Sequence, residues 1–206
     1  MAYCNWGDTS EANRAYHDSE WGIPLHDDRK QFEFLSLEVM QCGLSWELMI
    51  RKREIFRKCF LDFDFDAVAG FGPGDVGRIM AEPGMIRSER KIRAVIGNAR
   101  CVQTIRREAG TFSAWLWAFS GNRTILYDRH GDGYIPAANG LSVRISKELK
   151  KRGFQYMGPV TVYSHLQACG IVNDHGSDCP RYRFIVDNFP TVRKRRDHER
   201  EVRHFG

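Results

Sequence analysis

The longest regular pattern in this chain runs over residues 88–109. Ile92, Val95, Ile96, Ala99, Val102 and Ile105 recur at helical spacing on one face, with Lys91, Arg93 and Arg100 off its centre. Ser88 is placed to cap the start and Gly110 to stop the end. Most other segments also show helical period, and few show strand alternation. Residues 31–41 put Phe32, Leu35 and Val39 on one stripe with Phe34, Leu37 and Met40 beside it, which predicts a largely buried helix carrying Glu38. After the Gly43 break, Ser45 can cap a second helix whose apolar side is Trp46, Met49, Ile50 and Phe56. Short helices are predicted at 66–71, 75–80, 111–119, 142–152, 160–168 and 180–188, with a loop, or at most a hairpin, over 120–140. Many short helices with short connections imply a mainly α fold packed as an orthogonal helical bundle.

At 206 residues the chain holds one domain or two small ones. Hydrophobic residues at 42% and charged residues at 28% exclude a disordered chain. No apolar run approaches the roughly 18 residues of a membrane span. Residues 1–8 carry neither a basic cluster nor an apolar stretch, so no secretory signal is expected, and the protein is read as a cytoplasmic monomer. Lys and Arg number 31 against 26 acids, a net charge of +5 that suits a polyanion partner mildly. Six basic residues and three acids lie between Arg193 and Arg203, which reads as a solvated tail. Cys42, Cys101 and Cys169 stand in apolar company and read as buried thiols, whereas Cys4 and Cys179 stand in polar segments that each hold a histidine.

Four groups of residues could carry chemistry. The glycine-bearing loop 128–136 fails as a calcium loop, because His130 takes the third ligand position and Asn139 the twelfth. Residues 83–87, Pro-Gly-Met-Ile-Arg, precede a basic helix, and exposed N–H groups at such a turn can hold phosphate; an ordinary interhelical turn explains the same residues. Cys4, His17, His175 and Cys179 form a ligand set that closes a tetrahedral zinc shell with no open position, and His175 and Cys179 share a face if they lie on one helical turn. Spacing alone leaves that reading and four incidental residues equally open. Finally, Tyr16, Trp21 and Trp46 gather aromatics about Glu38. They are either core rings with a capped acid, or flat walls for a planar ligand whose edge the acid reads.

Several segments together resemble the bacterial DNA-3-methyladenine glycosylase I family. These are YHDSEWGIP (16–24), LEVMQCGLSW (37–46), KRE (52–54), GMIRSERKI (84–92), IGNAR (96–100), KKRGF (150–154) and YSHLQACGIVNDH (163–175). The resemblance runs in order from Cys4 to about Cys179. It implies the helix-hairpin-helix glycosylase fold, with a zinc-binding subdomain from residues 1–27 and 141–190, a glycosylase domain over 28–140 and a basic tail over 191–206. It implies one structural zinc on Cys4, His17, His175 and Cys179, and double-stranded DNA with alkylated bases as partner. Glu38 falls at the position of the acid that contacts the flipped base, Tyr16 and Trp46 fall on base-pocket positions, and Trp21 neighbours them. Leu44 falls where the family wedges the duplex, and Gly84, Ile86 and Lys91 belong to the DNA-anchoring hairpin and its following helix. The catalytic Asp found after the hairpin in most helix-hairpin-helix glycosylases is absent from this family and from residues 88–109 here.

This chain departs from the family pattern at Asn13, where a second pocket Tyr is usual, and at Val39, where Gly is usual; the tail after Pro190 lies beyond the usual end. The first two leave open a related glycosylase with another base lesion. A zinc-stabilised DNA-binding module without catalysis is the third reading, and release of free base separates it from the other two.

Overall fold

The computed structural model describes residues 4–128 and 135–195; the loop weighed for calcium, at 129–134, and the tail end, at 196–206, lie outside the described residues. The helices are α1 (Glu11–Ser19), α2 (Asp28–Gln41), α3 (Trp46–Arg51), α4 (Arg53–Cys59), α5 (Phe65–Ala69), α6 (Pro73–Ala81), α7 (Glu89–Ala109), α8 (Phe112–Ala118), α9 (Gly140–Lys151), α10 (Pro159–Ala168) and α11 (Pro180–Asn188). Two 3-10 turns (Asn5–Thr9 and Leu61–Phe63) and strands β1 (Thr124–Tyr127) and β2 (Thr191–Lys194) complete the described elements. Among the described residues no helix is long and apolar enough to cross a membrane. The chain divides into two compact units.

One unit is Leu25–Leu116 with Leu149–Met157. Helix α7 is its spine and packs on α2, α5 and α6. All six apolar residues expected on its inner face are buried. Helix α2 is buried continuously from Gln31 to Met40. Asp27 caps it by accepting from the Lys30 N–H at 2.7 Å. The adjacent Asp28 instead caps α8, accepting from the N–H groups of Phe112 and Ser113 at 2.9 and 2.7 Å. Glu33, buried on α2, is neutralised by Arg53 at 2.6 Å, Lys30 at 2.7 Å and Arg57 at 3.1 Å. Burial pushes the Glu33 carboxyl up, but the hydrogen bonds from Arg53 and Lys30 outweigh it and hold the group below the usual range. Asn98 of α7 pins the 149–157 segment, accepting from the N–H of Gln155 and donating to its carbonyl. The helix expected to run on from Ser45 through Phe56 is two helices, broken at Lys52.

The other unit comprises the described parts of Met1–Pro24, Trp117–Glu148 and Gly158–Gly206. Here β1 pairs in parallel with β2, Thr124 opposite Thr191 and Tyr127 opposite Lys194. On its other side, Ile125 donates to the Ile171 carbonyl and accepts from the Asn173 N–H. One expectation is corrected: residues 124–127 form no hairpin, because their partner strand comes from the far end of the chain. The tail begins as that strand, with Thr191 and Val192 half-buried and Arg193 and Lys194 exposed. Helix α1 is capped by Ser10 accepting from the Asn13 N–H at 3.2 Å.

Gly170 follows α10 with φ +76°, and a Cβ there would stand 2.5 Å from the Pro24 nitrogen, 2.6 Å from the Ile23 carbonyl carbon and 2.7 Å from the Gly22 oxygen. These are backbone atoms that cannot swing aside. Gly170→Ala is expected to cost about 3 kcal/mol or more, read as a lowered Tm and denaturant midpoint. Near-wild-type stability would contradict that close approach.

Candidate functional site

The four potential ligands converge from both termini of the chain. Cys4 precedes a 3-10 turn at Asn5–Thr9, His17 lies on α1, His175 lies in the loop after α10, and Cys179 is the residue before α11. Their donor atoms all lie within 4.8 Å of one another. His175 Nδ1 is 3.2 Å from His17 Nε2 and 3.7 Å from each of Cys4 Sγ and Cys179 Sγ; Cys179 Sγ is 3.7 Å from His17 Nε2. Metal–ligand bonds of about 2.3 Å to sulfur and about 2.0 Å to nitrogen give a tetrahedron with edges of about 3.3–3.8 Å, close to these four separations. His175 and Cys179 meet through a turn closed by the Cys179 N–H on the Gly176 carbonyl, not on the helical turn expected.

A surrounding layer orients both imidazoles. Asp18 Oδ1 lies 2.7 Å from His17 Nδ1, and the Trp21 carbonyl lies 3.1 Å from His175 Nε2, so the remaining ring nitrogens face the cluster. The Gly176 N–H donates to Cys4 Sγ at 3.3 Å. Buried Asp174 accepts from the Tyr163 hydroxyl at 2.6 Å and from the Gln167 amide at 2.8 Å, which steadies the loop that presents His175. Burial pushes the Cys4 thiol up to about 12 and His175 down to about 3. Both groups are therefore neutral until a cation enters, and a cation reverses that preference for the Cys4 thiol. Trp21, read from sequence as a base-pocket neighbour, packs on this cluster: its ring is 4.5 Å from His175 and 5.1 Å from Trp6. Trp6, 5.5 Å from His17, belongs to the same layer and carried no signal in the sequence.

Glu38 sits near the end of α2 and is 4% exposed. Among the described residues no hydrogen bond or ion pair reaches its carboxylate, and burial alone pushes its carboxyl up to about 8. A buried acid without a partner is costly. The chain then turns at Cys42 and Gly43. Leu44 is 39% exposed, its N–H on the Gln41 carbonyl, and Ser45 caps α3 by accepting from the Leu48 N–H. Trp46, half-buried, opens that helix. Tyr16 and Asn13 are buried one turn apart on α1, and Val39 is fully buried.

Between α6 and α7 the turn exposes Pro83 and Gly84, half-buries Ile86 and exposes Arg87 and Arg90. Met85 donates to the Glu82 carbonyl, and Ser88 to that of Ile86. Lys91 does not face solvent as its place off the apolar stripe suggested. Its residue is buried, and its ammonium donates to the carbonyls of Met40 at 2.8 Å and Cys42 at 2.6 Å. A long lysine stem reaches across a neighbouring helix end, so its charge is not offered to a phosphate.

The model of the methyladenine glycosylase family matches residues 6–182. The chain is 40% identical over 182 residues to DNA-3-methyladenine glycosylase 1 of Escherichia coli (strain K12), covering 88% of this chain and 97% of the relative. It is 36% identical to the DNA-3-methyladenine glycosylase of Haemophilus influenzae, covering 86% and 96%. The solved structure of a 3-methyladenine DNA glycosylase I from Staphylococcus aureus superposes with TM-score 0.81 at 33% identity, covering 86% of this chain and 94% of that one. An acid buried without a partner, a Cys2His2 cluster and a helix–turn–helix with an exposed glycine thus stand in a chain that matches these proteins almost end to end. It belongs to the methyladenine glycosylase family.

Proposed function

We propose that this protein excises 3-methyladenine from DNA by hydrolysing its N-glycosidic bond, leaving an abasic site. The unpartnered, buried carboxyl of Glu38 carries the reading. Adenine methylated at N3 is cationic while joined to deoxyribose and departs as a neutral base, so its bond is already weakened and needs little protonation. Discrimination from normal adenine then comes from binding the cation. Glu38 supplies the opposite charge and accepts from the exocyclic amine, and the ring face of Trp46 attracts the cationic base. An alkylated base also leaves the stack at lower cost. Leu44, exposed on its turn, fills the space the base vacates. The turn between α6 and α7 acts as the helix-hairpin-helix anchor, with the Gly84 and Ile86 backbone toward phosphate and Arg87 and Arg90 supplying charge.

Asn13 favours a second reading within the same enzyme class. The Thr9 hydroxyl donates to the Trp6 carbonyl at 2.7 Å, so it accepts from the Asn13 amide nitrogen at 2.8 Å, which leaves Asn13 Oδ1 buried with no partner among the described residues. An extra acceptor suits a lesion with an additional donor. Identifying the base released from alkylated DNA decides between the two.

The Cys4, His17, His175 and Cys179 cluster is read as one structural zinc site. Bound zinc would hold the two thiolates and join the chain's ends, with no position open to water or substrate. Asp18→Asn keeps all four ligands yet loses the carboxylate behind His17, and metal affinity is expected to fall about ten- to a hundredfold. Cys179→Ala is expected to lower metal content and Tm together. Elemental analysis with chelator competition checks both, and wild-type protein free of stoichiometric metal contradicts the site.

Glu38→Gln tests the acid. Native Glu38 keeps its proton up to about 8, while an unfolded Glu releases it near 4.5. Between those values the unfolded chain binds fewer protons, so the wild type loses stability as pH rises, by ~1.4 kcal/mol per unit. Glu38→Gln lacks this slope and gains on the wild type across the same window, while base release falls about a hundredfold or more. The wild-type kcat/KM is expected to rise with pH to an inflection near 8 that the variant lacks. Lost stability with an intact excision rate would make Glu38 a core residue only.

A further inference from the structure

Both ends of the 40–52 segment, which carries the Leu44 turn and Trp46, are tied to the α6–α7 turn by lysine ammonium groups. At one end Lys91, third residue of α7, takes up the carbonyls of Met40 and Cys42 where α2 runs out. At the other, Lys52, at the break between α3 and α4, donates to the Gly84 carbonyl in the turn itself. Gly84 also lies against α4, where a Cβ on it would stand 2.9 Å from Ile55 Cδ1. Carbonyls at a helix end need partners, but water can serve a half-buried Cys42 and an exposed Gly84. Two long cations ordered from opposite directions across the same gap do more than satisfy those carbonyls.

We infer that Lys91 and Lys52 are positioning residues that lock the α6–α7 turn to the segment that follows Glu38 and bears Trp46, so that where the turn grips the DNA backbone fixes where the base is read. The inference rests on the glycosylase reading above. Catalysis by placement is sensitive to displacements of about 1 Å, which can cost a hundredfold in rate. Duplex binding by the turn and free-base binding near Glu38 are each local and survive loss of a tie. Excision of a base in a duplex needs both at once.

The test compares Lys91→Met, Lys91→Arg and Lys52→Met with wild type in four readouts: Tm, affinity and salt slope on an undamaged duplex, affinity for free 3-methyladenine, and single-turnover release from a methylated duplex at saturating enzyme. Lys91→Met is expected to keep undamaged-duplex and free-base affinities near wild type while release slows about tenfold or more. Lys91→Arg, which keeps the donors, is expected to recover most of that rate. An unchanged rate per folded molecule overturns the inference, as does a free-base affinity that falls as far as the rate. Weaker binding to undamaged DNA with a shallower salt slope also overturns it, because Lys91 would then contact phosphate directly. If Lys91→Met does not fold, Lys52→Met must show the same pattern, and an unchanged rate there is equally fatal. A wild type that releases no methylated base fails the glycosylase reading itself, before any variant is compared.

Discussion

A carboxyl group held out of water without a partner is the constraint on which the rest of this structure turns. Glu38 would be ionised in water at neutral pH, and burial in α2 keeps it protonated up to about 8. The helix that carries it cannot relax to solvate it. Asp27 caps its start, the Glu33 network with Arg53, Arg57 and Lys30 grips its middle, and Lys91 closes its end. A buried carboxyl is thus paired and ionised at Glu33 and unpaired and protonated at Glu38, about one turn and a half along the same helix. Under the proposed function, that contrast separates a structural acid from one kept for a ligand.

The Cys4, His17, His175 and Cys179 cluster answers a different need. The short elements at the two ends of the chain bury little apolar surface of their own. Four ligands, with Asp18 and the Trp21 carbonyl behind the imidazoles, give those ends a common fixed point. Parallel pairing of β1 with β2 adds a second closure in the same unit, and β2 lies beyond the stretch matched by the family model.

The α7 face was readable because six apolar residues at one period leave a single solution, and α2 because it is apolar nearly all round. The ligand types of the cluster were visible, but their convergence was not, since spacing says nothing about segments from opposite ends of a chain; the family resemblance supplied it. Helix α1 was invisible because the face it buries is Asn13, Tyr16 and His17 rather than an apolar stripe. The strands escaped because four-residue segments far apart in sequence leave no periodic trace. Lys91 misled for a geometric reason: a helical wheel places its Cα, while its function lies at the end of a long side chain. For Glu38, composition raised the question of a partner, and only packing shows that none among the described residues supplies one.

The most direct test is the titration of Glu38 itself. A carbon-13 label on its side-chain carboxyl, followed by NMR across pH in the free protein, should show ionisation near 8, with the pH of ionisation falling when a cationic 3-methyladenine nucleotide in a duplex is bound. A titration in the ordinary range near 4.5, unmoved by the ligand, would mean that the carboxylate is solvated or paired, and would contradict its role as the acid that reads the base.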